Sequence, residues 1–295
     1  MSPRKRATLT GFLAVLLWSG LAALTVATAP VPPFLLNALT FAIGGALGVA
    51  HLARTGGFGA LRGIGWRVHA FGTAGLFGYH ALYFTALRLA PAAEASLVCY
   101  LWPLFLVLLS GLLPGERLRA GHVAGALLAF AGAGVVILGA AGGIGGAALP
   151  GLGIAFLAAL VWAGYSVGSR RFGTVPVGAV AVFCLATAAL SAVLHLAVEE
   201  TRWPAGAGGW AAVVALGVGP VGLAFYFWDE GMKRGDIQLL GVASYAAPVI
   251  STAVLIALGL AAPAPAIIVA AGLIAAGAAL AARAGRGVRP APSGG

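Results

Sequence analysis

Nine aromatic residues occupy unusual places in this chain. Tyr79, Tyr83, Tyr100, Tyr165, Tyr226 and Tyr245 all fall inside apolar runs, and Trp18, Trp102 and Trp162 lie near the middle of such runs. A ring offers a π face to another ring or a cation, and a phenol or indole adds a hydrogen-bonding tip. In a membrane such side chains ordinarily collect at the lipid–water interfaces, as Trp66, Trp203 and Trp210 are placed to do. At mid-depth the others suit the wall of a cavity for an aromatic or cationic solute, with helix-to-helix packing as the competing explanation. His80, beside Tyr79, is the one histidine near mid-run. An ionisable group there is a functional candidate. With no carboxylate near it, it is expected to stay neutral and to hydrogen-bond as part of the wall.

Pro103 and Pro248 also lie inside apolar runs. Each lacks an N–H and clashes with the carbonyl four residues back, here that of Cys99 or Ser244. In lipid such a carbonyl must face protein or a wet cavity. It could accept from a substrate ammonium, with each proline acting as a kink or hinge. The candidate binding set is therefore Trp18, Tyr79, His80, Tyr83, Cys99, Tyr100, Trp102, Trp162, Tyr165, Ser244 and Tyr245. The acidic residues Glu94, Glu116, Glu199, Glu200, Asp229, Glu230 and Asp236 fall toward run ends or in loops. Metal-ligand spacing, a phosphate loop and paired carboxylates are missing, so no metal, cofactor or enzymatic centre is expected.

The elements that would carry these side chains are transmembrane helices. Of 295 residues, 61% are hydrophobic and 8% charged, against about 25% charged in soluble domains. Long apolar runs without alternation favour helices over a barrel. They predict ten spans, at 9–28, 34–53, 68–88, 92–113, 120–139, 151–169, 176–198, 209–230, 236–259 and 264–283. Tyr and Trp occupy spans 1, 3, 4, 6, 8 and 9, expected to surround the cavity; spans 2, 5, 7 and 10 are expected to be scaffold. The Gly44/Gly48 and Gly121/Gly125 pairs suit close helix packing. The apolar run from Leu9 to Ala29 exceeds a signal-peptide core of about 7–15 residues and is expected to stay as a span.

Basic residues set the orientation. With a cytoplasmic N-terminus, the inside loops and tails hold Arg4, Lys5, Arg6, Arg54, Arg62, Arg67, Arg117, Arg119, Arg170, Arg171, Lys233, Arg234, Arg283, Arg286 and Arg289; the outside holds Arg88 and Arg202. That asymmetry predicts both termini inside. The net charge of +10 thus reflects topology, with no nucleic-acid partner implied. Cys99 and Cys184 both lie in apolar runs and support no disulfide framework. The composition, rich in Ala, Gly and Arg, fits a GC-rich bacterial genome, and the expected location is a bacterial inner membrane, with lipids as the surroundings.

The chain repeats itself. Tyr100/Tyr245, Pro103/Pro248, Arg88/Lys233 and Gly132/Gly277 stand 145 residues apart, and Phe12/Phe156, Trp18/Trp162 and Gly20/Gly164 stand 144 apart. This divides the chain into residues 1–139, a 140–150 linker and residues 151–295. Each half has five spans. Five is odd, so the second half inserts upside down, an architecture associated with alternating access.

Leu17-Trp18-Ser19-Gly20, Ala86-Leu87-Arg88, Glu94-Ala95-Ser96-Leu97, Tyr100-Leu101-Trp102-Pro103-Leu104 and Gly115-Glu116-Arg117-Leu118 resemble the EamA type of the drug/metabolite transporter superfamily, from about residue 9 to 283. The tyrosine–tryptophan–proline pattern is most similar to the YddG aromatic amino-acid exporters. Ala247 stands where a second Trp102 would, so any pocket is asymmetric. The resemblance implies a secondary transporter that exports amino acids, aromatic ones preferentially. Efflux of lipophilic cations is the alternative within transport, and a channel or membrane-embedded enzyme the alternative outside it. The near-absence of acids at depth predicts no obligatory proton exchange.

Overall fold

The computed structural model describes residues 1–90, 92–141, 149–259, 262–263 and 265–286. Pro91, most of the 140–150 linker and the tail beyond 286 lie outside these described residues. Among them the chain is helical, with no strand. The helices are α1 (Pro3–Ser19), α2 (Leu21–Ala27), α3 (Pro33–Thr55), α4 (Trp66–Leu89), α5 (Ala92–Cys99), α6 (Trp102–Ser110), α7 (Ala120–Ala141), α8 (Leu149–Ser169), α9 (Val180–Val198), α10 (Gly206–Val218), α11 (Ala224–Arg234), α12 (Ile237–Ala243), α13 (Ala246–Ala257) and α14 (Pro265–Arg286).

Among the described residues, seven stretches are long and apolar enough to cross a bilayer: Pro3–Ala27, Pro33–Thr55, Leu149–Phe172, Val177–Val198, Gly206–Arg234, Ile237–Ala257 and Pro265–Ala284. Shorter apolar helices run over Ala95–Ser110 and Ala120–Val135. α4 is not among either set, although its 24 residues would extend about 36 Å. It carries His69, Tyr79, His80, Tyr83 and Arg88, a polar load that suits a helix facing a cavity more than lipid.

Where the sequence predicts kinks, the helices break. α5 stops at Cys99 and α6 restarts at Trp102, with Pro103 as its second residue. α12 stops at Ala243 and α13 restarts at Ala246, two residues before Pro248. Proline cannot donate to the preceding turn and fits best in a first turn, so each proline opens a new helix instead of bending an old one. Pro220 lies in a π-helical turn at Gly219–Leu223 that joins α10 to α11. α1 starts at Pro3, six residues earlier than the apolar run, because Ser2 caps it by accepting from the Lys5 N–H at 3.4 Å.

The most extensive pairings are α7 with α14, α3 with α9, α4 with α8 and α1 with α11. Each joins the first part of the chain to the second. Exchange of the two parts turns the α4–α8 pairing into the α11–α1 pairing and leaves α3–α9 and α7–α14 in place. Small residues permit this closeness: a Cβ on Gly125 would lie 2.5 Å from the Gly277 carbonyl oxygen, and one on Gly277 would lie 2.5 Å from that of Gly125. Gly44 and Gly48 pack similarly, against Gly222 and Tyr226.

Candidate functional site

The site is a cavity of about 850 Å³, inside the range of small-molecule pockets. Its floor is a set of tryptophans. Trp18 from the end of α1 meets Trp162 of α8 at 5.8 Å, Trp102 of α6 at 6.4 Å and Trp228 of α11 at 5.1 Å between ring centroids. Trp102 is edge-on to Trp162 and to Trp228, at 6.3 and 5.6 Å. The Trp18 indole donates to the Pro220 carbonyl at 3.0 Å, and the Trp228 indole to Ser166 Oγ at 3.0 Å. The π turn therefore presents an acceptor that locks Trp18, which gives the irregular backbone there a purpose.

α4 supplies one wall. Tyr79 and Tyr83, one turn apart, stack with centroids 6.0 Å apart and planes at 3°. Tyr83 OH lies 3.2 Å from Ser96 Oγ. The Cys99 thiol donates to the Tyr79 hydroxyl at 3.6 Å. His80 Nδ1 lies 2.7 Å from the Leu76 carbonyl. A carbonyl cannot donate, so Nδ1 carries the proton and a neutral ring keeps Nε2 as an acceptor. Tyr100, Ser244 and Ala247 line the cavity near the two helix breaks, and Asn37 and Thr40 of α3 line the opposite side. Asn37 is held by its Nδ2–H donating to Ser191 Oγ at 2.7 Å. The cavity extends from the tryptophans to the Thr28–Pro33 turn and Leu87. Among the described lining residues, none is Asp, Glu, Lys or Arg.

Eight residues of the predicted set share this cavity: Trp18, Tyr79, His80, Tyr83, Tyr100, Trp102, Trp162 and Ser244. Three do not. Cys99 is buried behind Tyr79 and orients it. Tyr165 packs on Trp162 and Phe71, at 5.3 and 5.7 Å, on the far side of the floor. Tyr245 is buried against Phe130 at 5.9 Å, between helices. The expectation of a vacant Ser244 carbonyl fails, because that oxygen accepts from the Ala247 N–H at 3.1 Å within the break. The α3 contribution corrects the expectation that the second span is scaffold alone; its Asn and Thr carry no ring, so an aromatic census passes over them.

A second correction concerns Asp229. It lies in the middle of α11, not at a helix end, and its side chain is 2% exposed. It pairs with Lys233 at 2.6 Å, and Lys233 also donates to the Val175 carbonyl at 3.0 Å. α11 runs four residues past the predicted span, which brings both charges inside the protein. Trp228, also absent from the predicted set, lies outside the described cavity lining and supports Trp18 and Trp102 from behind; its place 145 residues after Tyr83 is the signal that marks it.

Two polar clusters lie at the ends of the bundle. In one, Arg170 pairs with Glu116 at 2.6 Å and donates to the Met232 and Gly235 carbonyls at 2.8 and 2.9 Å. Arg4 lies 3.6 Å from Glu116 and 3.3 Å from Asp236. In the other, Glu199 takes Arg88 at 2.6 Å and His195 at 3.0 Å, and accepts from the Phe34 and Leu35 N–H groups at the start of α3.

Comparison with known proteins gives a consistent result. The model of the EamA-like transporter family matches twice, over residues 5–138 and 149–283. The aromatic amino acid exporter YddG of Ancylobacter novellus is 61% identical over 264 residues, covering 88% of this chain and 91% of that protein. The protein of the same name from Escherichia coli is 27% identical over 273 residues, covering 88% and 90%. A crystal structure with 57% identity superposes with a TM-score of 0.92, covering 96% of this chain and 98% of that one. Two matches that together span nearly all of its residues place this chain in the EamA-like transporter family.

Proposed function

We propose that the chain exports aromatic amino acids across a bacterial inner membrane by alternating access. The observation that carries this is the cavity wall, dense in rings and hydroxyls and, among the described residues, lacking Asp, Glu, Lys and Arg, in a chain 61% identical to a protein named as an aromatic amino acid exporter. The substrate ring stacks among Tyr79, Tyr83, Trp102 and Trp162. His80 Nε2 and the tyrosine hydroxyls take the ammonium and carboxylate. A neutral wall suits a zwitterion, which carries no net charge. Lipophilic cations fit it less well, since no carboxylate is among its described lining residues.

Ten spans in two inverted halves, 1–139 and 151–295, provide the movement, with both termini cytoplasmic. The double family match supports two units, and the exchange-symmetric pairing of helices supports their equivalence. The polar clusters support the orientation. Arg4 and Arg170, both assigned inside from charge, share Glu116 at one end. Arg88, assigned outside, meets Glu199 at the other. In that orientation the cavity leads outward through the Thr28–Pro33 turn, and the arginine–acid cluster closes the cytoplasmic end. The breaks at Pro103 and Pro248 flank the cavity and serve as hinges. Inhibition of labelled tryptophan uptake by phenylalanine and tyrosine, and not by lipophilic cations, tests the substrate class. Inhibition by the cations alone contradicts it.

A further inference from the structure

Below the tryptophan floor, on the side away from the open cavity, lies a void of about 10 Å³, lined by Phe71, Tyr165, Ser169, Phe172, Asp229 and Lys233 among others. Its walls repeat those of the open cavity. Tyr165, Ser169 and Phe172 stand 144 residues after Leu21, Thr25 and Thr28, and Asp229 stands 145 after Phe84. Phe71 stands 145 before Leu216. All five counterparts line the open cavity. These are the offsets that relate Trp18 to Trp162 and Tyr100 to Tyr245. The small void is therefore the collapsed counterpart of the large one.

The two differ in charge. The open cavity has no described Asp, Glu, Lys or Arg on its wall. Its collapsed counterpart holds the Asp229–Lys233 pair, both side chains at most 3% exposed. We propose that this pair receives the charged end of the amino-acid substrate on the cytoplasmic side, with Asp229 taking the α-ammonium and Lys233 the α-carboxylate. The inference rests on the alternating-access reading above and adds a binding site to it. When the halves exchange roles, Asp229 takes the wall position that Phe84 holds now. Asp229 and Lys233 share one helix and move together, but opening the void takes the Val175 carbonyl from Lys233 and leaves both charges with unmet hydrogen-bonding capacity, which is costly in a low-dielectric interior. A zwitterion supplies one charge of each sign and meets both with no change in net charge. Loading from the cytoplasm is thereby selective for molecules with both charges, and the ring is then selected at the tryptophan floor.

The test uses membrane vesicles of both orientations. The variant Asp229→Asn/Lys233→Met removes both charges together and so leaves no stranded ion. Half-saturation by tryptophan at the cytoplasmic face, read in inside-out vesicles, is expected to rise about tenfold, the scale of losing charge-assisted hydrogen bonds. Half-saturation at the outer face, read in right-side-out vesicles, stays within about twofold and reports that the variant is folded. In parallel, Ser169→Cys is treated with a membrane-impermeant maleimide in inside-out vesicles, with the wild type, whose two cysteines are buried, as the blank. Labelling of Ser169→Cys shows that the void opens. Labelling together with the one-sided change supports the proposal. Labelling with no change, or with equal change on both faces, overturns it and leaves alternating access standing. No labelling, with or without tryptophan, overturns alternating access and this proposal together.

Discussion

Arg170 and Glu116 form a 2.6 Å ion pair that ties the end of α8 to the segment before α7. Arg170 also donates to the Met232 and Gly235 carbonyls at the end of α11. One guanidinium thus clamps three elements at the end of the bundle opposite the open cavity. Both side chains are mostly shielded, at 20% and 10% exposure, so the clamp is screened less than a surface pair.

The clamp predicts the first outcome. Arg170→Ala loses charged hydrogen bonds worth about 1.5–3 kcal/mol each, which shifts the balance away from the outward-open state. Apparent affinity for tryptophan at the outer face falls with the population of that state, severalfold or more. Measured at the outer face of right-side-out vesicles, an unchanged half-saturation would show that the clamp does not hold that state.

The floor and wall predict the second. Trp102→Ala and Tyr79→Ala each weaken tryptophan transport several-fold, on a stacking loss of about 0.5–1.5 kcal/mol beyond lost burial. Phe41, fully buried and stacked on Phe225 at 5.3 Å, stands behind His80 and outside the cavity lining. Phe41→Ala lowers stability by about 3–5 kcal/mol and leaves substrate preference unchanged. Thermal unfolding in detergent alongside a competition panel separates the two. A selectivity change in Phe41→Ala with none in Trp102→Ala contradicts the assignment.

Much of this was legible beforehand, and the remainder fails for definable reasons. Eight of eleven candidate residues share one cavity because mid-depth rings report depth, and depth follows from the run boundaries. Depth does not report facing. Tyr165 lies at the right depth but on the far side of Trp162, and Tyr245 points between helices toward Phe130. Asp229 was misplaced because hydropathy ends the run near Glu230, while the helix continues to Arg234 and buries the charges by pairing them. Asn37 and Thr40 reach the cavity from a helix otherwise typical of lipid-facing scaffold, a contribution that only three-dimensional packing reveals.

The third prediction concerns orientation. Trp203→Cys, at a position 56% exposed, reacts with an impermeant maleimide from the periplasmic side. Arg171→Cys, also at an exposed position, reacts only once the cytoplasmic face is opened. The reverse pattern inverts the topology.

The fourth concerns energy coupling. The open cavity contains no described carboxylate, buried Asp229 is held as an ion pair by Lys233 at 2.6 Å, and His80 is engaged with the Leu76 carbonyl as a neutral ring would be. Transport runs down the substrate gradient without obligatory proton exchange. In proteoliposomes given a pH gradient but no amino-acid gradient, tryptophan does not accumulate. Uphill accumulation that disappears in His80→Ala shows proton coupling through that residue.

The central claim is that this chain is a carrier whose aromatic cavity faces one side of the membrane at a time, and counterflow tests it most directly. Proteoliposomes are loaded with unlabelled tryptophan and diluted into a trace of labelled tryptophan. The account predicts a transient overshoot of label above equilibrium, saturable with concentration and lost in Trp102→Ala. Flux that neither saturates nor overshoots, as through a continuous pore, would contradict it.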